Sequence, residues 1–189
     1  MTYRIISTFD GSTETCSLSE LSQSLKLNCI LAELNSDGSL IDSWPLVHET
    51  LVTFAVEFAD YALLNYAQKK IPKAEACITL TRKWLENSDT VSVEELRAAT
   101  NAAYNAAYAA ANNAAYNAAY AAANPAYAAA HAANAADAAA NAAYANANAA
   151  DAAADAAGKS REAELIRQGQ FIVGYMRAAA TRSCNSRAA

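Results

Sequence analysis

Residues 101–112 read NAAYNAAYAAAN, and residues 113–124 repeat those twelve letters without change. How this stretch folds decides the architecture. Alanine has the highest helix propensity of any residue. Just upstream, Ser92-Val93-Glu94-Glu95 is a capping box, in which hydroxyl and carboxylate reciprocally satisfy the free amides of a helix start. The pattern predicts one helix over about 92–123, roughly 45–50 Å long at about 1.5 Å per residue. Asn124-Pro125 then reads as an N-cap with proline at the first helical position. A second Ala-rich helix is expected over 125–157, with Gly158 supplying its left-handed C-terminal cap. A hairpin reversing at Pro125 is favoured over a kink there, because methyl-covered faces let two backbones approach closely.

The larger residues add detail. Tyr104, Tyr108, Tyr116 and Tyr120 recur on a four-residue rhythm. A step of four advances about 400°, so the stripe drifts about 40° each time. On one continuous helix no single neighbour covers all four rings. In the second helix His131, Asn134, Asp137, Asn141, Tyr144, Asn148, Asp151 and Asp155 form a polar stripe, as on a helix buried by a broad Ala face and solvated along one seam.

Outward from the repeat, the large hydrophobes gather upstream. Leu51, Phe54, Ala55, Phe58, Ala62 and Leu64 recur at helical spacing and predict a helix from about Leu46 to Gln68. Ile71-Pro72 breaks it. Ala74, Cys77, Ile78, Trp84 and Leu85 carry a second amphipathic helix, ended by the polar turn Asn87–Thr90. Before these, Tyr3–Phe9 reads as a strand closed by Asp10-Gly11. Ser17-Leu18-Ser19-Glu20 caps a short helix to about Lys26. Cys29–Leu34 reads as a second strand, returned through Ser36-Asp37-Gly38 by Ser39–Asp42. After Ser160 a last amphipathic helix returns to the core and loosens from about Thr181. The expected fold is mainly α: a helical bundle with a long Ala-rich two-helix hairpin and a small β-containing N-terminal appendage. The appendage spans 1–45 and the helical domain 46–189.

Composition excludes several functions. The chain has 189 residues, a formal net charge of -5 and 17% charged residues. Without a basic stripe it is a poor partner for nucleic acid, which demands clustered Lys and Arg. No run of about 18 large apolar residues suggests a membrane span, and the expected location is the cytoplasm. The four cysteines form no C-x-x-C, so reduced thiols are expected rather than a metal site. None of the phosphate-loop, dinucleotide, zinc-protease or nucleophile-elbow motifs is present, and only five glycines are available to build a phosphate cradle. The expectation is a binding protein without cofactor, not an enzyme.

The tyrosine ladder is the strongest candidate surface, since tyrosine offers a rigid ring with a polar tip. Asp60, on the helix after Phe58-Ala59, reads as a buried acid or an ion-pair partner, and His48 as a surface or capping residue. Two other ligand classes are open. Arg82, Arg161 or Arg167 could pair with the phosphate of a signalling nucleotide stacked on tyrosine. A long Ala-rich helix could also bind ice, although Thr100 is the only threonine in this tract.

From Phe54 to Ala111 the order of features is Phe54-Ala55-Val56-Glu57-Phe58-Ala59-Asp60, a Pro72-containing link, and Ala76-Cys77-Ile78-Thr79-Leu80-Thr81-Arg82-Lys83-Trp84-Leu85. Then come Val93-Glu94-Glu95-Leu96-Arg97 and the Ala tract. This order resembles the alanine-rich immunity protein family of bacteria and their phages, associated with polymorphic toxin systems. Asp60 and the Arg82–Leu85 block carry the resemblance. Family members have more Arg and His in the tract, where this chain has Asn and Tyr. The resemblance implies a helical cytoplasmic protein that blocks a protein toxin or effector by stoichiometric binding. The contact residues expected are Tyr104, Tyr108, Tyr116, Tyr120, Asp60 and Arg82. An exposed Ala face would also offer a route to a homodimer.

Overall fold

The computed structural model describes residues 2–8, 10–25, 29–67, 70–110, 113–130, 147–155 and 161–187, with side chains as far as Thr181. The element order is β1 (Thr2–Ser7), β2 (Thr13–Cys16), α1 (Leu18–Ser24), β3 (Cys29–Leu34), β4 (Leu40–Leu46), α2 (His48–Tyr66), α3 (Pro72–Glu86), a 3-10 turn (Ser88–Thr90), α4 (Val93–Tyr108), α5 (Asn113–Ala130), α6 (147–155) and α7 (Arg161–Arg187). The fold is mainly helical with a small N-terminal sheet, as the sequence leads one to expect.

The four strands form one antiparallel sheet in the order β2-β1-β3-β4. Alternation aims Tyr3, Ile5, Leu31 and Trp44 at one face, where all four are buried. Helices α1 and α7 are packed closely together. Gly169 of α7 sits so near the Leu18 carbonyl that an added Cβ would lie 2.2 Å from it. Both capping boxes read from the sequence are formed, at Ser17/Glu20 and Ser92/Glu95, and Pro72 occupies the first turn of α3.

Sheet and bundle share one continuous core. It runs from Tyr3, Ile5 and Trp44 through Phe54 and Phe58 to the alanines of α5 and Ile172 of α7. Phe171 and Tyr175 of α7 meet Phe54 edge-on, with ring centroids 6.2 and 5.4 Å apart. Glu33 in β3 is fully buried and paired with Arg177 of α7, whose Nε donates to Oε2 at 3.2 Å. Strand β4 extends through Trp44 and Pro45 to Leu46, so a division at residue 45 falls inside a strand. Proline is accepted there because β4 is an edge strand.

Two expectations are corrected. The single helix over 92–123 is two, α4 and α5, separated between Tyr108 and Asn113. A lone 30-residue alanine rod would leave its methyl faces in water. Folding back buries Ala103 and Ala107 of α4 with Ala114, Ala118 and Ala122 of α5. Second, Pro125 does not start a helix but lies inside α5. Its missing amide leaves the carbonyl of Ala121 without the usual helical donor, a loss set against the burial of Asn124, Pro125 and Ala126. The reversal therefore falls at the junction of the two repeat copies and not at Pro125. Of the helix expected over 125–157, residues 131–146 and 156–157 lie outside the described residues, as does Gly158; 147–155 are helical. Most of the polar stripe from His131 to Tyr144 lies outside them too. At the far end, α7 runs to Arg187.

Candidate functional site

The hairpin brings the four repeat tyrosines together. Tyr104 meets Tyr120 at 4.7 Å between ring centroids, Tyr108 meets Tyr116 at 5.9 Å, and Tyr116 stacks on Tyr120 at 5.7 Å. The rings form one chain, 104–120–116–108, in an antiparallel register centred on the repeat junction. Breaking the helix is what makes this geometry available. Each helix carries only two tyrosines four residues apart, so the drift that would carry the stripe round a continuous rod never accumulates. The rings thus pair with one another, while Tyr108 still faces water, as the sequence reading expects of some of the four.

Burial varies along the cluster. Tyr104 is half-buried and its hydroxyl donates to Oδ1 of the buried Asn124 at 2.8 Å. Burial pushes its phenol up to about 12, helped by the neighbouring Tyr120 and Tyr127. Tyr116 is raised too, by desolvation and then by Tyr108 and Tyr120. Tyr108, last residue of α4, is 72% exposed. The cluster is thus anchored at one end and open to solvent at the other. Sequence reasoning missed Asn124 as the anchor, because it was assigned to a helix cap.

Asp60 and Arg82 are brought to each other, not shown to join the tyrosines. Arg82 of α3 donates through one terminal nitrogen to Asp60 at 2.7 Å and to Glu57 at 3.0 Å, both on α2. All three side chains are part-exposed, so the pair ties two helices together at modest gain, about 0–1 kcal/mol for such surface pairs. His48 lies edge-on to Trp84 at 5.7 Å, and burial lowers its pKa.

A second polar cluster was not legible in the sequence. Glu164 of α7 is 2% exposed and accepts from the Tyr66 hydroxyl at 2.8 Å and from Arg167 at 2.9 and 2.5 Å. Burial, then the bond to Glu164, raises the Tyr66 phenol. Arg167 also lies over the Tyr61 ring at 3.6 Å, and Arg161 is paired with Asp151 at 2.8 Å. These contacts fix α7 against α2 and α6, and they leave Arg82, Arg161 and Arg167 each bonded to carboxylate.

The buried thiols Cys16 and Cys77 are raised to about 11 and about 12 by desolvation, which removes the thiolate that nucleophilic chemistry requires. Among the described residues no three of His, Cys, Asp and Glu converge as metal ligands would. No helix among them is long and apolar enough to cross a membrane. Fold and surface together define an alanine-rich helical bundle with a small antiparallel sheet and an aromatic cluster on a hairpin. Compared with known proteins, the chain matches no family model, no curated protein and no solved structure.

Proposed function

We propose that the chain is a non-catalytic interaction protein of the immunity or anti-effector kind, blocking a toxin or other effector protein by stoichiometric binding in the cytoplasm. The observation that carries this reading is the tyrosine cluster on the α4–α5 hairpin, open at Tyr108. Rigid aromatic side chains held at a firm scaffold are the residues that dominate protein interfaces. The net charge of -5 suits a basic partner, and the resemblance carried by Asp60 and Arg82–Leu85 points the same way. Asp60 and Arg82, part-exposed, stand as a secondary charged contact.

Two other readings fit less well. Sequestering a nucleotide calls for convergent unpaired guanidinium groups, and Arg82, Arg161 and Arg167 already hold carboxylates. Ice binding calls for an exposed alanine face, and the α5 alanines face the core.

Native mass spectrometry of the tagged chain, isolated gently from its own host beside Tyr108→Ala/Tyr116→Ala, tests the proposal. The expected result is one extra polypeptide per chain, lost in the double variant at an unchanged melting temperature. A partner retained by the variant removes the tyrosines from the interface. A small adduct released on denaturation overturns the reading in favour of ligand sequestration, and bare protein in both samples counts against a resident partner.

A further inference from the structure

The repeat tyrosines are placed for one-electron chemistry as well as for contact. Successive ring centroids along the chain 104–120–116–108 are 4.7, 5.7 and 5.9 Å apart. The two ends of this chain differ in what they can lose. Oxidising a tyrosine removes an electron and frees the phenolic proton, which then needs an acceptor. Tyr108 is 72% exposed, so an oxidant reaches its ring and water takes its proton. The Tyr104 hydroxyl is committed to the amide oxygen of the buried Asn124, which accepts a hydrogen bond but is a very weak base. Desolvation also holds that phenol up to about 12. Oxidation therefore enters at Tyr108 and stays at the open end of the cluster. An electron from the neighbouring Tyr116 refills Tyr108, which can then be oxidised again. Two radicals are left side by side across the turn.

We propose that the hairpin carries a dityrosine site, at which Tyr108 and Tyr116 couple when a haem peroxidase and hydrogen peroxide oxidise them. The rings start at an interplanar angle of 59°. Tyr108, the last residue of α4, can turn toward Tyr116 on the picosecond-to-nanosecond scale of exposed side chains. The two phenoxyl radicals join through the ring carbons beside their oxygens. The hydrogens on those carbons move to the oxygens as the rings regain aromaticity. Overall the two phenols lose two electrons and two protons, and these convert one hydrogen peroxide into two waters. The new bond ties the end of α4 to the first turn of α5 and staples the hairpin. Groups held next to each other within one chain react ahead of groups on separate chains, so the product is intramolecular. This chemistry needs no partner protein at the cluster, so either proposal can fail without the other.

The other spaced pair, Tyr61 and Tyr66 at 5.8 Å, is an internal control. Tyr66 is buried with its hydroxyl donating to Glu164, and Arg167 covers the Tyr61 ring.

The test treats the full chain, dilute, with hydrogen peroxide and a haem peroxidase, and recovers the monomer under denaturing conditions. The expected product is a monomer lighter by two hydrogens, with the blue fluorescence of dityrosine and a raised melting temperature. Tyr108→Phe and Tyr116→Phe keep the rings and should each lose nearly all of that fluorescence, whereas Tyr61→Phe should keep it. No fluorescent monomer, its persistence in either of the first two variants, its loss in Tyr61→Phe, or coupling only between chains overturns the proposal. If Tyr116→Phe does not fold, as judged by circular dichroism, Tyr108→Phe decides, since that side chain is exposed.

Discussion

The two copies of NAAYNAAYAAAN share every letter and almost nothing of their surroundings. The first copy, 101–112, is the outer one: Asn101, Asn105, Tyr108 and Ala109 are exposed. The second, 113–124, is an inner helix whose last four residues, Ala121 to Asn124, are all buried. The contrast is sharpest at the shared AAAN ending. In the first copy it leaves the helix at Ala109; in the second it continues as α5 through Pro125. Helix propensity is identical for both, so the difference comes from what each copy packs against. The inner copy lies against α2 and α3 as well as α4, and that burial outweighs a proline.

Paired substitutions at equivalent repeat positions can break or sharpen this contrast. The largest effect is expected for Ala122→Leu, at a fully buried inner site. Overpacking there should cost about 1–3 kcal/mol. Ala110→Leu, the same letter at the outer turn, should stay within about 0.5 kcal/mol. Denaturant melts of the two variants measure this, and equal losses would sink the inner–outer distinction. Next comes Tyr104→Phe, which leaves the buried Asn124 carbonyl without its hydroxyl donor, for an expected loss of about 1–2 kcal/mol. Tyr116→Phe occupies the same repeat position and should cost less than about 0.5 kcal/mol.

The last prediction concerns pH. The Tyr104 phenol is raised to about 12 from 10.0 by burial. A protonated group whose folded pKa is raised contributes stability that is complete below its unfolded pKa. That contribution is lost as pH rises through the folded value. Stability should therefore fall between about pH 10 and 12, and part of the fall should be missing in Tyr104→Phe. An ultraviolet difference titration of the wild type against Tyr104→Phe should place the missing ring near 12. A step near 10 would mean that Tyr104 is open to water.

Much of the framework was legible because it rests on local chemistry. The Ser17/Glu20 and Ser92/Glu95 boxes, the Pro72 start of α3 and the apolar stripe of α2 each carry their cause within a few residues. Strand β2 does not: Thr-Glu-Thr-Cys has three exposed residues and one buried, and it is defined by pairing with β1. The break after Tyr108 is likewise silent in sequence, since alanine continues on both sides and the turn follows from the register of the tyrosine rings. Proline after asparagine is a strong helix-start signal, but at Asn124-Pro125 tertiary burial overrode it. The tyrosines were readable as a candidate surface, whereas their mutual pairing, the Asn124 anchor and the Glu164 cluster depend on long-range contacts. Glu164 lies 98 residues from Tyr66, a separation that no periodicity reveals.

The pairing of Glu33 with Arg177 spans 144 residues, and it sets an order of events during synthesis. Helix α7 is made after every other described element, yet it supplies the cation for a buried strand carboxylate and lies against α1. Glu33 therefore has no Arg177 to pair with until α7 has left the ribosome. Early contacts of this kind reward the chain late and slow the search for the native state. The contacts among α2, α3, α4 and α5 are available sooner, although Phe54 and Tyr66 of α2 also wait for α7. Translation thus supplies the strands and the α2–α5 helices first and seats α7 last, with Arg177 as the latch.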